Sequence, residues 1–338
     1  MNHVKVNDAL EVAEQEILEN DQLKRSGKLP GLKTSWNRFN RSVLGAMRFN
    51  NNFCISAPSG HGKSFMLNMI IQDFCDPKLN ADFDYPFAIL YFTFEMNAAD
   101  EQMRTLSRVT GIGYDQLMCV DAPLTDEQKQ QINAAKIRLQ NRPIIYYEES
   151  ITAEEIYRVV NEIARERPHL KLVVALDHTL LTEQGAARDE IEQLKDVSKI
   201  FLRMRKELTN RFMGILLSQM NDKIEQEERL KKPSSQYPRK TDLFGSKQLY
   251  HAMDYVLFMV RPELLHLERF GNQYDVDGAF GFNTRKLVVL SIDKARKGIP
   301  GIICLEEQLH KGVFEERIKN NTPNEHRETM FDLSSVQL

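Results

Sequence analysis

The chain has 338 residues, 42% of them hydrophobic and 28% charged, which is ordinary for a globular protein of one large or two small domains. Its net charge of −3 at pH 7 argues against wholesale coating of nucleic acid, although local basic loops are compatible with it. The four scattered cysteines include no C-x-x-C pair, so neither a zinc site nor a disulfide framework is indicated, and without an apolar signal core or a membrane-length apolar run we expect a cytoplasmic protein with no membrane partner.

The N-terminal segment predicts an amphipathic helix followed by a linker. Residues 6–20 place apolar side chains on one helical face among many acidic residues, namely Leu10, Ala13, Ile17 and Leu18. Residues 21–34 are polar and contain glycine and proline, which is typical of a linker. The apolar face of the helix requires a partner, and its own domain and a neighbouring subunit are equally open alternatives at this point.

A glycine-containing turn at residues 57–65 carries the strongest local signal. A short apolar run before it predicts a buried strand, and a helical apolar pattern begins after it, which is the layout of a phosphate-binding loop. Backbone N–H groups and the positive end of the helix would surround a polyphosphate, Lys63 would reach its outer phosphates, and the Ser64 hydroxyl would ligate Mg²⁺. We call this stretch the phosphate loop; it consists of Ala57, Pro58, Ser59, Gly60, His61, Gly62, Lys63, Ser64 and Phe65. Ala57 replaces the first glycine of the strict pattern and fits if its φ is negative.

Predicted strands and helices alternate along the next part of the chain. Trp36, Phe39, Val43 and Met47 recur at helical spacing and predict a core-facing helix before the phosphate loop. The predicted strands then cover residues 87–94, 143–147, 170–176 and 212–217, with helices at about 97–108, 125–140, 152–165 and 191–204 between them. This alternation predicts an α/β fold with a mostly parallel sheet flanked by helices.

The remainder of the chain predicts an antiparallel extension of the sheet. Consecutive strands are expected at residues 255–260, 285–292 and 302–305, the last of which closes the sheet. Residues 221–245 form a long polar stretch with several basic residues, which predicts a functional or disordered loop without regular structure. Residues 316–338 predict a loosely ordered polar tail, in which Met330, Phe331 and Leu333 are a candidate docking motif.

Three polar residues end predicted strands, where the ligand crevice of a parallel sheet lies. Asp177 would bind Mg²⁺ through water, and Glu95 would polarise an attacking water molecule. The alternative for Glu95 is an interaction with the helix start near Asn97. Gln219 would hydrogen-bond a γ-phosphate and report its presence to the following loop, with a plain polar strand end as the alternative.

Two cations follow the strand predicted at residues 285–292. Lys294 and Arg296, which we call the cation pair, lie two residues apart, so an extended chain would point them the same way toward one anion. A solvated charged turn is the alternative, and the local sequence alone favours it.

Taken in order, these motifs resemble the RecA-like motor domain of DnaB-type replicative helicases over about residues 31–315. The phosphate loop resembles that of the family, and Phe94-Glu95-Met96 resembles the Leu-Glu-Met segment that carries its catalytic base. Leu176-Asp177 is similar to its metal-site aspartate, and Leu217-Ser218-Gln219-Met220-Asn221 to its phosphate-sensor motif. Asp242-Leu243 and Asp254 resemble the two ends of its DNA-loop motif, and residues 294–298 resemble the Lys-x-Arg-x-Gly motif that reaches into the neighbouring subunit's ATP.

The resemblance implies a RecA-like motor domain at residues 35–315, preceded by a linker helix that docks on the adjacent subunit. It implies a homo-hexameric ring with ATP and Mg²⁺ at its subunit boundaries, completed by the cation pair of a neighbour. Single-stranded DNA would lie in the central channel, gripped by loops near residues 182–188 and 221–247. A primase or a loader is the further partner implied, and a compact relative of this kind fits a phage or mobile element acting in the host cytoplasm.

Two departures from the family pattern keep other functions open. Fewer than 35 residues precede the motor, so the family's helical N-terminal domain is expected to be absent. Residues 244–247 read Phe-Gly-Ser-Lys where the family has Arg-Glu-Ser-Gly, and residues 245–254 resemble RadA-type recombination ATPases instead. The alternatives to a helicase are therefore a recombination or branch-migration ATPase and an ATP-switched loader or scaffold.

Overall fold

The structure is a computed structural model that describes residues 5–177, 189–275 and 278–317. Its helices are α1 Val6–Arg25, α2 Asn37–Ser42, α3 Lys63–Phe74, α4 Ala98–Thr110, α5 Tyr114–Leu117, α6 Asp126–Leu139, α7 Ala153–Glu166, α8 Glu190–Leu208, α9 Glu227–Leu230 and α10 Ser246–Ala252. Its strands are β1 Gly31–Leu32, β2 Met47–Arg48, β3 Asn51–Ala57, β4 Phe87–Thr93, β5 Ile144–Tyr147, β6 Lys171–Asp177, β7 Phe212–Gln219, β8 Tyr255–Val260, β9 Arg269–Tyr274, β10 Phe280–Asn283, β11 Leu287–Ala295, β12 Gly301–Gln308 and β13 Val313–Glu316.

One large sheet organises the molecule, with the strand order β13-β12-β11-β8-β3-β7-β6-β4-β5. Six neighbouring strands run parallel to one another, namely β8, β3, β7, β6, β4 and β5. Strands β11, β12 and β13 pair in antiparallel fashion at one side of them, which confirms the predicted fold class. The prediction that residues 302–305 close the sheet is wrong. The chain turns back at Gly312, whose φ is 63°, and β13 pairs with β12 as the outermost strand of the described ranges.

The central strands of the sheet are buried on both faces, as their apolar sequences predict. Phe53 and Ile55 contact the core on the α3 side, whereas Cys54 between them belongs to the core on the α7 and α8 side. The residues predicted to form a core-facing helix before the phosphate loop are indeed buried: Trp36, Phe39, Val43 and Met47. Only six residues of that stretch are helical, because Leu44 adopts a positive φ of 61° and the chain then enters β2.

Helix α1 runs five residues past its predicted end and places its apolar side chains outward. Leu10 and Ile17 are 62% and 67% exposed, and within the described part of the chain no residue of α1 is buried. Its contacts with the domain are polar, such as the 2.9 Å hydrogen bond from Arg48 to Asn20. Residues 21–34 are therefore not wholly a linker, since they include the last turn of α1 and strand β1, which pairs with β2.

The 221–245 segment is not the structureless loop that its sequence predicts. Short helical turns cover residues 222–225, 227–230, 233–235 and 240–242. Arg229 donates two hydrogen bonds of 2.6 Å to the buried carboxylate of Asp242 and thereby joins the start of the segment to its end. A hairpin of β9 and β10 occupies the insertion between β8 and β11. The predicted channel loop at 182–188 and the docking motif at 330–333 lie outside the described residues.

Candidate functional site

The phosphate loop connects β3 to α3 at the carboxyl edge of the sheet. Ala57 ends β3 without a positive φ, as its side chain requires, and α3 begins at Lys63. Gly60 and Gly62 have φ values of 75° and 95°, a backbone region that side-chain-bearing residues rarely adopt. A Cβ atom at Gly62 would also lie 3.3 Å from Cζ of Phe314. Glycine is thus needed where the loop turns into the helix, and the turned backbone suits a phosphate group.

His61 anchors the phosphate loop to the neighbouring strand. Its Nδ1 atom accepts a 2.9 Å hydrogen bond from the backbone N–H of Arg261, directly after β8. Burial lowers the pKa of His61 to about 4, and the positive charges of Arg261 and Lys63 contribute to this lowering. The imidazole is therefore neutral at pH 7, and the cation that the loop offers to an anion is Lys63.

Asp177 lies at the same edge with a carboxylate suited to a cation. It ends β6, its register partner on β4 is Thr93, and the residue is fully buried. Neither carboxylate oxygen has a hydrogen-bond partner among the described residues. Burial raises the pKa of Asp177 to about 6, the Ser64 hydroxyl opposes this rise, and the charge of Glu95 adds to it. A buried, unpaired carboxylate beside a serine hydroxyl fits a hard divalent cation that keeps much of its own water, such as Mg²⁺.

Glu95 stands two residues beyond the end of β4, close enough for its charge to act on Asp177. The alternative of a helix-capping role does not describe its surroundings. Asn97 caps α4 by accepting the Asp100 N–H at 2.8 Å, and Glu148 accepts the Ala98 N–H at 2.7 Å. The Glu95 carboxylate is thus not needed at the helix start.

Gln219 ends β7 directly opposite the phosphate loop. Its register partner on β3 is Ala57, and its side chain is half-buried. Its carbonyl oxygen accepts the Phe244 N–H at 3.1 Å, and the following residue, Met220, forms a bridge with Leu243. The end of β7 is therefore bonded to the far end of the 221–245 segment, which gives Gln219 a direct connection to it.

The cation pair lies at the opposite end of the sheet. The Arg296 N–H donates to the carbonyl of Asp254 at 2.9 Å, and the Asp254 N–H donates to the carbonyl of Asn52 at 2.8 Å. Asn52 lies near the start of β3 and Ala57 ends it, so five residues of strand, about 16 Å, separate the pair from the phosphate loop of the same chain. The structure thus brings together Lys63, Ser64, Glu95, Asp177 and Gln219, but it does not bring Lys294 and Arg296 to them.

Both cations have partners that the sequence does not reveal. The Lys294 ammonium donates to the carbonyl of Tyr250 at 2.7 Å, and the Arg296 guanidinium lies 3.1 Å from the Asp254 carboxylate. Lys294 belongs to β11, so the simple charged turn is wrong for it. Burial lowers the pKa of Lys294, and the charge of Arg296 adds to this effect, because the two side chains lie close together.

A buried polar cluster behind the phosphate loop was not predicted. Glu101 on α4 is fully buried and accepts hydrogen bonds from Asn68 at 2.6 Å and from Arg104 at 3.0 Å. The Arg104 guanidinium in turn lies 4.2 Å from the ring centroid of Phe65. Burial raises the pKa of Glu101 to about 7, against the opposing effects of Arg104 and Asn68. The three-residue spacing of Glu101 and Arg104 was the only sequence signal of this cluster.

Comparisons with known proteins agree with this architecture. The family model described as the DnaB-like helicase C terminal domain matches residues 31–316. A solved structure described as an ATPase domain superposes with a TM-score of 0.74 at 20% identity, covering 93% of this chain and 99% of that one. A DnaB-like replicative helicase, solved to describe its interactions with primase, also gives a TM-score of 0.74, at 19% identity over 92% of this chain and 68% of that one. No curated protein matches the sequence, and none of the described helices is long and apolar enough to cross a membrane.

Proposed function

Because this chain belongs to the family of DnaB-like helicase C-terminal domains, we propose that it is the ATP-driven motor of a ring-forming replicative DNA helicase. It hydrolyses ATP at the boundaries between six identical subunits and translocates on single-stranded DNA held in the central channel. It works in the cytoplasm, and a primase or a loader is its partner in replication.

The observation that carries this proposal is the division of the candidate residues between two ends of one sheet. The phosphate loop, Glu95, Asp177 and Gln219 lie at the carboxyl edge, and the cation pair lies about 16 Å away along β3. A single chain therefore presents a triphosphate site without the cation pair at one end and the cation pair without a triphosphate site at the other. Head-to-tail contact of identical subunits joins two such halves, and repetition of that contact with rotation closes a ring.

Each residue then has a defined task at the joined site. Lys63 and the turned backbone hold the phosphates, and Ser64 with Asp177 holds Mg²⁺, which supplies positive charge to the triphosphate when bound. Glu95 orients the attacking water, and Gln219 hydrogen-bonds the γ-phosphate. Lys294 and Arg296 of the neighbouring copy stabilise the charge that develops on the transferred phosphoryl group.

Two surfaces support the ring and the DNA channel. The apolar side of α1, with Leu10, Ile17 and Leu18 exposed, suits contact with the adjacent subunit. The 221–247 stretch carries basic side chains and adjoins Gln219, so it can contact a DNA backbone without reading its sequence. Contact of this kind suits a motor that must move over any sequence.

Mixing two inactive variants tests the shared site. Arg296→Ala should abolish ATP turnover but leave nucleotide binding intact, because the phosphate loop is unchanged. Lys63→Ala should lose both. Rings assembled from the two proteins contain boundaries where an intact phosphate loop faces an intact cation pair, so turnover should return. The control is Arg285→Ala, which removes an exposed arginine just before the first residue of β11, at the other end of the strand from Lys294. It should leave turnover unchanged. Mixed rings without turnover would contradict the assignment of the cation pair to a neighbour.

A forked-duplex assay then tests the activity itself. A helicase separates the strands of the fork with ATP and Mg²⁺. Branch migration without fork unwinding would identify a recombination ATPase, and nucleotide binding with negligible DNA-stimulated turnover would identify a loader or scaffold.

A further inference from the structure

The 221–245 segment leads directly into α10, which contacts the strand that carries the cation pair. The C-terminal end of the segment is bonded to the end of β7, because the Phe244 N–H donates to the Gln219 carbonyl. It is also bonded to the first residue of the segment, because the Asn221 N–H donates to the Asp242 carbonyl. The Arg229–Asp242 ion pair keeps it together as a unit. Gly245, at a φ of 65°, then starts α10 without an intervening loop. A displacement of the segment is therefore passed to α10.

Tyr250 on α10 makes three contacts with two consecutive residues of β11. Its hydroxyl donates to Asp293 at 2.9 Å, its carbonyl accepts from the Lys294 ammonium at 2.7 Å, and that ammonium lies 4.9 Å from its ring centroid. A shift in the β8–β11 register between Ile292 and Lys294 explains how neighbouring residues reach the same tyrosine. Such a bulge breaks the normal alternation of side chains along a strand.

The residue that binds Arg296 also follows α10 closely. Asp254 lies two residues beyond the helix and is buried, and its carboxylate accepts from the Arg205 guanidinium on α8 at 2.6 Å while facing Arg296 at 3.1 Å. Lys294 is thus held by α10 itself and Arg296 by a residue just after it. A hydrogen bond weakens steeply once its donor and acceptor move apart or out of line, so a small shift of α10 alters the hold on Lys294.

We infer that Tyr250 is a positioning residue that couples the DNA-binding segment to the cation pair, so that contact of DNA with residues 221–247 sets how Lys294 is presented to the neighbouring subunit's nucleotide. The inference rests on the proposed function. It assigns to Tyr250 no contact with nucleotide or DNA, only the link between the two elements that make those contacts.

The test compares two substitutions that each remove a tyrosine–carboxylate hydrogen bond. Tyr250→Phe deletes the bond to Asp293. The control Tyr157→Phe deletes a 2.6 Å bond between Tyr157 on α7 and Glu207 on α8, neither of which belongs to the phosphate-loop site or to the cation pair. The readout is the ratio of DNA-stimulated to basal ATP turnover. Tyr250→Phe should lower this ratio about fivefold without changing nucleotide affinity, and Tyr157→Phe should leave it unchanged.

Two further proteins exclude a merely structural effect. Asp293→Ala should lower the ratio as Tyr250→Phe does, and the double variant should be no worse than either, because all three lose the same bond. Mixing Tyr250→Phe with Lys63→Ala subunits should restore the ratio, since the affected cation pair serves a neighbour. An unchanged ratio, an equal fall in basal and stimulated turnover, or no recovery in mixed rings would overturn the inference. Wild-type protein without DNA-stimulated turnover would instead refute the proposed function.

Discussion

Replacing Glu101 by glutamine should make the protein's stability less dependent on pH. The unfolded chain releases the Glu101 proton near pH 4.5, whereas burial in the folded protein raises the pKa to about 7. Between these values the folded state binds the proton and the unfolded state does not, so stability falls as the pH rises through this window. The Glu101→Gln side chain has nearly the same size and cannot titrate. Asn68 and Arg104 now donate to different carboxylate oxygens at 2.6 and 3.0 Å, so the single amide oxygen keeps one of these bonds and the loss of the other does not depend on pH.

The size of the effect follows from the two pKa values. A tenfold difference in proton affinity corresponds to about 1.4 kcal/mol, so the wild type should lose roughly 2–3 kcal/mol more than Glu101→Gln between pH 5 and pH 8. Urea unfolding of nucleotide-free protein at both pH values measures this, and Glu166→Gln, the same change at an exposed position, should behave like the wild type. Parallel losses in wild type and Glu101→Gln would show that Glu101 does not bind its proton more tightly in the folded state.

Three further substitutions test separate parts of the structure. Gly62→Ala forces a side chain onto a φ of 95°, at a strain of about 1–2 kcal/mol. It should therefore weaken MgATP binding about tenfold, which titration calorimetry measures. Asp177→Asn should abolish turnover yet raise the melting temperature of the nucleotide-free protein, because it removes a buried carboxylate without a hydrogen-bond partner in the described ranges. Arg229→Ala leaves the Asp242 carboxylate buried and without its ion-pair partner, at a penalty of about 3–5 kcal/mol, and should accelerate proteolysis within residues 221–245 while the rest of the domain resists.

The sequence predicted the central strands and the phosphate loop because their signals are local. Apolar runs such as residues 87–94 and 170–176 are long enough to cross a sheet and too regular to be loops, and β4 and β6 lie within a residue of these bounds. The glycines at 60 and 62 do adopt the positive φ values that a phosphate loop uses. Glu95, Asp177 and Gln219 could be placed together because parallel strands end at a common edge.

The sequence could not show what depends on contacts between distant residues. Arg296 faces Asp254, which immediately precedes β8, and Lys294 binds the carbonyl of Tyr250, so neither is simply solvated as the local charge run indicates. The helical turns in 221–245 are too short to leave a periodic pattern, and the Arg229–Asp242 pair that organises them is separated by 13 positions. Strand β13 has only four residues, too few to leave a clear strand pattern, and its last residue, Glu316, is the first residue of the predicted polar tail.

Particle imaging of the protein with an ATP analogue, Mg²⁺ and single-stranded DNA shows directly whether the phosphate loop of one subunit meets the cation pair of the next. We predict a closed ring of six subunits with the phosphate loop of each facing Lys294 and Arg296 of the next, and with DNA inside. An open filament, or a ring in which the cation pair faces away from every phosphate loop, would contradict it.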